Sequence, residues 1–286
     1  MSRENIMELF YRTVYISSRI AELKKSGKTI GFVPTMGALH EGHLSLIRAC
    51  HRQNDITVAS IFVNPNQFND KNDLKKYPRM PEKDLGLLRS AGCGIAFLPE
   101  EKEIYPEPDT RQFDFGGLDK FMEGKCRPGH FNGVAQVVTR LFDIIMPHRA
   151  YFGLKDFQQL AIIRKITADL HYPVEIVPCP IVRENDGLAM SSRNMLLSAE
   201  ERQHALVLFK SLFQAKKMKE HHTPAEVKEF VSGLIHSSPG VELEYFEIIG
   251  GTDLRPATNW DGDDVIGCIA ARVGKIRLID NINFSS

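Results

Sequence analysis

The chain has 286 residues, 43% of them hydrophobic, which is enough for one large domain or two modest ones with a real core. Its 36 Lys and Arg balance its 36 Asp and Glu, so no global field draws nucleic acid or an anionic membrane surface, and any anion site must be local. No apolar run approaches membrane-spanning length. The N-terminus carries Arg3, Glu4, Glu8 and Arg12 without an uninterrupted apolar stretch, which argues against a secretory leader. Five scattered cysteines (Cys50, Cys93, Cys126, Cys179, Cys268) show no C-x-x-C spacing, so neither a disulfide framework nor a structural zinc site is expected. A reducing, cytoplasmic setting fits best.

Residues 14–27 read as a helix, with Ser17 or Ser18 as N-cap, Ile20 and Leu23 on the buried side and Gly27 as the stop. A short apolar strand through Val33 then breaks at Pro34 and Gly37 and passes His40 and His43 as a helical pattern starts at Leu44, Leu46, Ile47 and Cys50. In a parallel α/β sheet, ligands sit at such strand-to-helix junctions, where helix N-termini offer N–H groups to phosphate oxygens. His40 and His43 are three apart, so on a first helical turn both imidazoles face one side and each can donate a ring N–H to one anion. A His-x-x-His alone is weak evidence. It lacks the spacing of a zinc-protease helix, and no G-x-G-x-x-G or G-x-x-x-x-G-K-[ST] occurs at this turn. What remains is the short histidine motif of nucleotidyl-transfer enzymes.

Residues 56–63 read as a strand buried on both faces, ending in Asn64-Pro65-Asn66-Gln67-Phe68. Asn and Pro suit a plain turn; Gln67 has no special turn preference and is taken as a ligand contact. A helix near 82–91 and a strand at 94–98 repeat the alternation, as in a doubly wound sheet. Residues 99–133 read as a long loop, functional or mobile, in which Lys125, Arg127 and His130 either meet a phosphate or carboxylate or simply form solvated surface. Val134, Val137, Val138, Leu141, Phe142 and Ile145 are the apolar stripe of a core helix.

A strand at 150–152 then runs into Gly153-Leu154-Lys155-Asp156-Phe157-Gln158-Gln159 and a helix carrying Leu160, Ile163, Ile166 and Leu170. Lys155 suits a phosphate as a point charge, while Asp156 and Gln159 can read hydroxyl or amide groups. A strand at 174–177 closes the first domain. In Met190-Ser191-Ser192-Arg193, hydroxyls, backbone N–H groups and a guanidinium suit a polyphosphate, or else cap a helix; Ser198 with Glu201 offers that helix a better start of its own. The remainder reads as a smaller α+β unit with helices at 198–219 and 224–236, the second capped by Thr223 with Pro224 at its first position, and strands at 241–249, 265–273 and 275–279.

Together these blocks resemble the pantothenate synthetase (pantoate–β-alanine ligase) family of the nucleotidyltransferase superfamily, which shares its ATP site with class I aminoacyl-tRNA synthetases. The resemblance rests on Pro34 to His43, Phe62 to Phe68, Arg127 to Phe131, Gly153 to Gln159, Pro180 to Glu184, Ser191 to Asn194 and Arg277 to Asn281, and so covers nearly the whole chain. It implies an α/β fold: a Rossmann-like doubly wound parallel sheet over 1–180 that binds ATP and pantoate, and a smaller C-terminal α+β lid over 181–286. It implies a two-step reaction in which pantoate is adenylated by ATP and the β-alanine amine then displaces AMP. ATP is expected on Met36, Gly37, Ala38, Leu39, His40, Glu41, Gly42 and His43, on Gly153, Leu154, Lys155 and Asp156, at Val182, and on Met190, Ser191, Ser192 and Arg193. Gln67 and Gln159 match pantoate contacts, Gln67 also lying near the β-alanine site. His43 matches the assigned proton donor, and His40, Lys155 and Arg193 are the other groups expected to act in catalysis. Mg²⁺ accompanies the nucleotide, no protein metal ligand is expected, and members are commonly cytoplasmic homodimers. Met190 and Leu154 depart from the family pattern, which expects Leu and a larger polar residue there, so both are expected to act through backbone atoms. A simple adenylyltransferase of the phosphopantetheine type and a non-catalytic nucleotide sensor or RNA-binding remnant of a synthetase are the competing readings, the balanced net charge disfavouring RNA. Gln67 and Gln159 argue against the first, and the complete set His40, His43, Lys155 and Arg193 against the second.

Overall fold

The computed structural model describes residues 7–261 and 264–285, so Arg3 and Glu4 lie outside the described residues. Along the chain come β1 (Glu8–Phe10), α1 (Thr13–Lys25), β2 (Ile30–Thr35), α2 (Glu41–Gln53), β3 (Ile56–Ile61), α3 (Lys71–Lys76), α4 (Pro81–Ser90), β4 (Ile95–Phe97) and α5 (Glu101–Ile104). They are followed by α6 (Met122–Cys126), α7 (His130–Ile145), β5 (Arg149–Gly153), α8 (Phe157–Asp169), β6 (Glu175–Cys179), α9 (Ala199–Met218), α10 (Pro224–His236), β7 (Val241–Gly250), β8 (Val265–Val273) and β9 (Ile276–Asn283). Two compact units result. The first runs to Asp119 and adds Arg127–Leu154 and Gln159–Pro180; the second takes Lys120–Cys126, Lys155–Gln158 and the chain from Ile181.

The first unit is a six-stranded sheet in the order β1-β4-β3-β2-β5-β6, each pair parallel. Successive side chains of a strand point to opposite faces, so both faces need cover. Phe32 and Val58 join α1, α7 and α8 through Ile16, Val138 and Leu160, whereas Val33 and Ala59 join α2 and α4 through Ile47 and Leu88. Doubly wound packing follows directly from that alternation. The strand order reverses between β2 and β5, and α2 and α8, which follow these two strands, pack against opposite faces. Such a switch point leaves a crevice at the carboxyl ends of the strands.

The second unit is a three-stranded antiparallel sheet, β7-β8-β9, with α9 and α10 over one face through Leu208, Leu212, Val227 and Val231. Ser198 and Thr223 cap these helices in reciprocal boxes with Glu201 and Glu226. On the sheet's strands, Arg277 forms two bonds to the Glu123 carboxylate of α6 (2.8 and 2.5 Å) and one to Glu244 (2.7 Å), and the Tyr245 hydroxyl donates to Glu123 at 2.8 Å.

Three sequence expectations shift, and one short strand is new. Neither Ser17 nor Ser18 caps α1, which begins at Thr13; its first N–H is accepted by the Glu103 carboxylate at 2.9 Å, and the two serine hydroxyls donate to Ile144 and Val14 carbonyls. Gly27 does end it, at φ +77°, with the Lys28 N–H on the Leu23 carbonyl and the Gly27 N–H on that of Lys24. Three-residue β1 is too short to show a period, yet it completes the sheet edge beside β4. The 99–133 segment holds α5, α6 and the first turn of α7. β9 continues past 279 because Asp280 and Asn281, polar enough to look like a turn, are buried and hydrogen-bonded. All five cysteines are free, and no helix of the described residues is long and apolar enough to cross a membrane.

Candidate active site

The turn after β2 is built from the backbone outward. Thr35 ends the strand by donating its hydroxyl to the Ser60 carbonyl (2.7 Å) and accepting the Gly37 N–H (3.2 Å). Gly37 and Ala38 then both take positive φ, +79° and +50°. A Cβ on Gly37 would meet Asp84 and Ile61 at 3.0 Å, so glycine is needed for space as well as conformation. Ala38 in this region is strained by about 1–3 kcal/mol and must be held by its surroundings. Asp84, in the first turn of α4 and only 1% exposed, does this: its carboxylate accepts the Ala38 N–H at 2.9 Å and the Leu39 N–H at 2.8 Å. Sequence reasoning missed Asp84, which there is simply one polar residue of an expected helix; an acid in a first helical turn commonly serves the helix itself.

His40 is not on the first turn of α2, as the three-residue spacing suggested, but is its N-cap. Its Nδ1 accepts the Gly42 N–H at 3.2 Å, while His43 at the third helical position turns its Nδ1 back to the His40 N–H at 3.4 Å. This is a capping box made of two imidazoles. Their ring centroids are 4.1 Å apart, so they do share a side, as expected. An Nδ1 that accepts a backbone N–H is unprotonated, and the neutral ring then carries its proton on Nε2. Both histidines are thereby set as Nε2–H donors by the helix terminus itself. Glu41 is exposed and pairs with Arg48, whose guanidinium holds the Glu41 carboxyl below its ordinary range. The Gly42 amide is engaged by His40.

Gln67 ends a 3₁₀ turn, Pro65–Gln67, after β3. Its side-chain carbonyl accepts from Asn64 at 3.1 Å and its amide nitrogen lies 3.1 Å from the Met36 sulfur, so the two strand exits meet here. Arg127 and His130 converge on the Gln67 backbone carbonyl, at 3.4 and 2.9 Å, rather than lying as scattered surface charge. Gly133 allows this: a Cβ there would stand 2.2 Å from the Asn66 carbonyl oxygen. A cavity of about 300 Å³ opens beside these residues at the ends of β2, β3 and β4, lined by Met36, Gly37, Phe62, Arg79, Asp84 and Glu101 among others. Gly153 ends β5, the neighbour of β2; Leu154 packs its side chain into the main apolar cluster, and Gln159 is half-buried on α8.

In the second unit, Lys155 and Asp156 lie in a 3₁₀ turn, with the Lys155 carbonyl accepting from Asn281 at 2.9 Å and Asp156 exposed. Val182 accepts the Met190 N–H at 3.0 Å, a bridge that delivers the chain to Ser191, whose hydroxyl accepts the Arg193 N–H at 3.3 Å. Ser192 is buried, and Met190 and Arg193 are half-buried. The Ser191 cap therefore serves a 3₁₀ turn, Ser192–Leu196, while α9 uses Ser198. Among the described residues no group of three or more His, Cys, Asp or Glu is spaced to hold a metal ion.

Paired imidazole donors at a switch-point helix, with an amide side chain at the next strand exit, suit an anionic substrate and its phosphoryl chemistry. Comparison with known proteins agrees. Residues 9–283 match the pantoate-beta-alanine ligase family. The pantothenate synthetase of Bacteroides fragilis is 52% identical over 279 residues, 97% of this chain and 99% of that one. The crystal structure of pantothenate synthetase from Thermus thermophilus superposes with a TM-score of 0.92 at 40% identity, covering 98% of this chain and 100% of that one. The pantoate-beta-alanine ligase of Francisella tularensis, solved in complex with beta-gamma ATP and beta-alanine, follows at a TM-score of 0.80, 33% identity and 98% coverage of both chains. Similarity of this extent, over both units and through the histidine turn, means that the chain belongs to the pantoate–β-alanine ligase family.

Proposed function

We propose that this ligase makes its amide bond through a pantoyl adenylate formed at the turn of His40 and His43. The pantoate carboxylate attacks the α-phosphorus of ATP, a new carboxyl-oxygen-to-phosphorus bond forms, and pyrophosphate leaves. The β-alanine amine then attacks the acyl carbon, the bond to AMP breaks, and the amine loses its proton. In-line displacement at phosphorus asks the protein for positioning and charge stabilisation more than for a nucleophile of its own. The two Nε2–H groups are proposed to donate to the phosphates, His43 also being the proton donor to the leaving group, and Lys155 and Arg193 to offset the charge that develops. Backbone and side-chain groups of Met36 to Leu39, Glu41 and Gly42, with Gly153, Leu154, Asp156, Val182 and Met190 to Ser192, complete the proposed nucleotide contacts. Gln67 and Gln159 are proposed to hold pantoate, Gln67 also meeting β-alanine. Mg²⁺ is proposed to enter as MgATP, held by phosphate oxygens rather than by a protein cage. A cytoplasmic homodimer is proposed as the working form, which light scattering of the purified protein checks.

The reading is carried by the double imidazole cap, because it fixes both tautomers before any ligand arrives and costs no reorganisation during reaction. The test is pantoate-dependent exchange of labelled pyrophosphate into ATP, with Mg²⁺ present and β-alanine absent. Exchange is expected. A protein that binds ATP and makes pantothenate from all three substrates yet shows no exchange would replace the adenylate with a concerted route.

A further inference from the structure

Three polar residues outside the proposed substrate contacts form one connected group in the second unit. Arg183 grips Asp280 with two bonds (2.7 and 3.0 Å), and its guanidinium also reaches the Gly187 carbonyl (3.1 Å) and the Asn281 carbonyl (3.2 Å). Asp280 accepts the Asn281 N–H at 2.8 Å, and the Asn281 amide donates to the Lys155 carbonyl at 2.9 Å. Arg183 also forms a β-bridge with Ala189, next to the Val182–Met190 bond that leads into Ser191. Lys155 is thus one hydrogen bond from this group, and Val182 and Met190, which bond to each other, flank its Arg183–Ala189 bridge.

A purely structural role would be met more cheaply by apolar residues. Asp280 is 3% exposed and Asn281 6% exposed, on a strand whose Leu278 and Ile282 contribute to the apolar cluster. A buried ion pair is often neutral or worse than a well-packed apolar substitute, so its presence here needs a reason other than stability. What it supplies is orientation: a backbone carbonyl held by a buried amide fixes where its own side chain starts.

We infer that Arg183, Asp280 and Asn281 are positioning residues, which hold the Lys155 turn and the Val182–Arg193 loop in one frame for binding the nucleotide phosphates. The inference rests on the assignment of Lys155 to ATP made above. Its test measures the kinetics of Asn281→Ala, Lys155→Ala and the double variant, each checked for folding by circular dichroism. Asn281→Ala is expected to lower kcat/KM for ATP by about tenfold while the KM for β-alanine stays within about twofold, since a small misplacement of a catalytic group is sufficient for such a loss. On the Lys155→Ala background the same change is expected to add nothing, because the two act as a unit. An additive loss, an equal rise in the KM for β-alanine, or normal kinetics of Asn281→Ala beside an impaired Lys155→Ala overturns the inference alone. Normal ATP kinetics of Lys155→Ala overturns the assignment of that lysine, and the inference with it. Should Asn281→Ala not fold, Asn281→Leu, closer in volume and equally unable to donate, gives the same reading.

Discussion

The two units place their polar groups by different means. In the parallel-sheet unit the two histidines are set by neutral contacts two or three residues apart, Gly42 to His40 and His40 to His43, while the Ala38 and Leu39 amides just before them rest on one buried carboxylate, Asp84. In the C-terminal unit the comparable segments depend on charged partners far along the chain, 97 residues between Arg183 and Asp280 and 154 between Glu123 and Arg277. A local cap forms with its helix and contributes about 1 kcal/mol. A desolvated ion network is all or none, since losing one partner leaves the other charge buried without compensation. The difference predicts that single substitutions will chiefly unfold the second unit but chiefly disarm the first.

The strongest way to break this contrast is Arg277→Leu, which leaves the buried Glu123 carboxylate without a cation and Glu244 with Arg272 alone. It is expected to destabilise the protein by about 3–5 kcal/mol in chemical denaturation, whereas a triple variant that also carries Glu123→Leu and Glu244→Gln should recover most of the loss. A single-variant cost below about 1 kcal/mol would show that the network does not hold the unit. His43→Ala tests the opposite limb. Its adenylation rate should fall about 10²–10³-fold, the usual cost of one donor at a developing charge, with folding nearly unchanged. Adenylate formation at near the unmodified rate in a folded variant would show that the assigned role of this histidine is wrong.

Gly133→Ala sharpens the comparison within the first unit. Its Cβ would meet backbone rather than a yielding side chain, so a loss of about 1–3 kcal/mol is expected together with a raised KM for pantoate as Gln67 is displaced. A stability loss with unaltered KM would separate Gln67 from that substrate. The smallest effect is a pH slope. Arg111 and Arg140 hold the Asp109 carboxyl, 1% exposed, below its ordinary range, with hydrogen bonding from Arg111 the main cause. A depressed carboxyl adds stability that is complete above its unfolded value near 3.9 and is lost as pH falls through the folded value. Acid titration of stability should therefore steepen below about pH 4, and Asp109→Asn should flatten that part of the curve. An unchanged slope would mean that this ion cluster contributes nothing to stability.

The sequence by itself determined whatever depends on near neighbours. An apolar run marked β2 as a strand and a longer one marked β3 as a strand buried on both faces, Ser198 with Glu201 and Thr223 with Pro224 marked two helix starts, and Gly27 marked a stop, because periodicity and capping operate within a few residues. It also located the histidine turn, since a strand must end and a helix must start there. The tertiary structure alone decided how the turn is held: that His40 is a cap rather than a first-turn residue, that Asp84 holds Ala38 and Leu39, that Gly133 admits Asn66, and that Asn281 reaches Lys155. It likewise decided that Ser17 and Ser18 do not start α1 and that Asp280 and Asn281 belong to a strand. Apart from the cap itself, each of these depends on a partner 45 or more residues away or on the space left by another element, and neither propensity nor spacing along the chain carries that information.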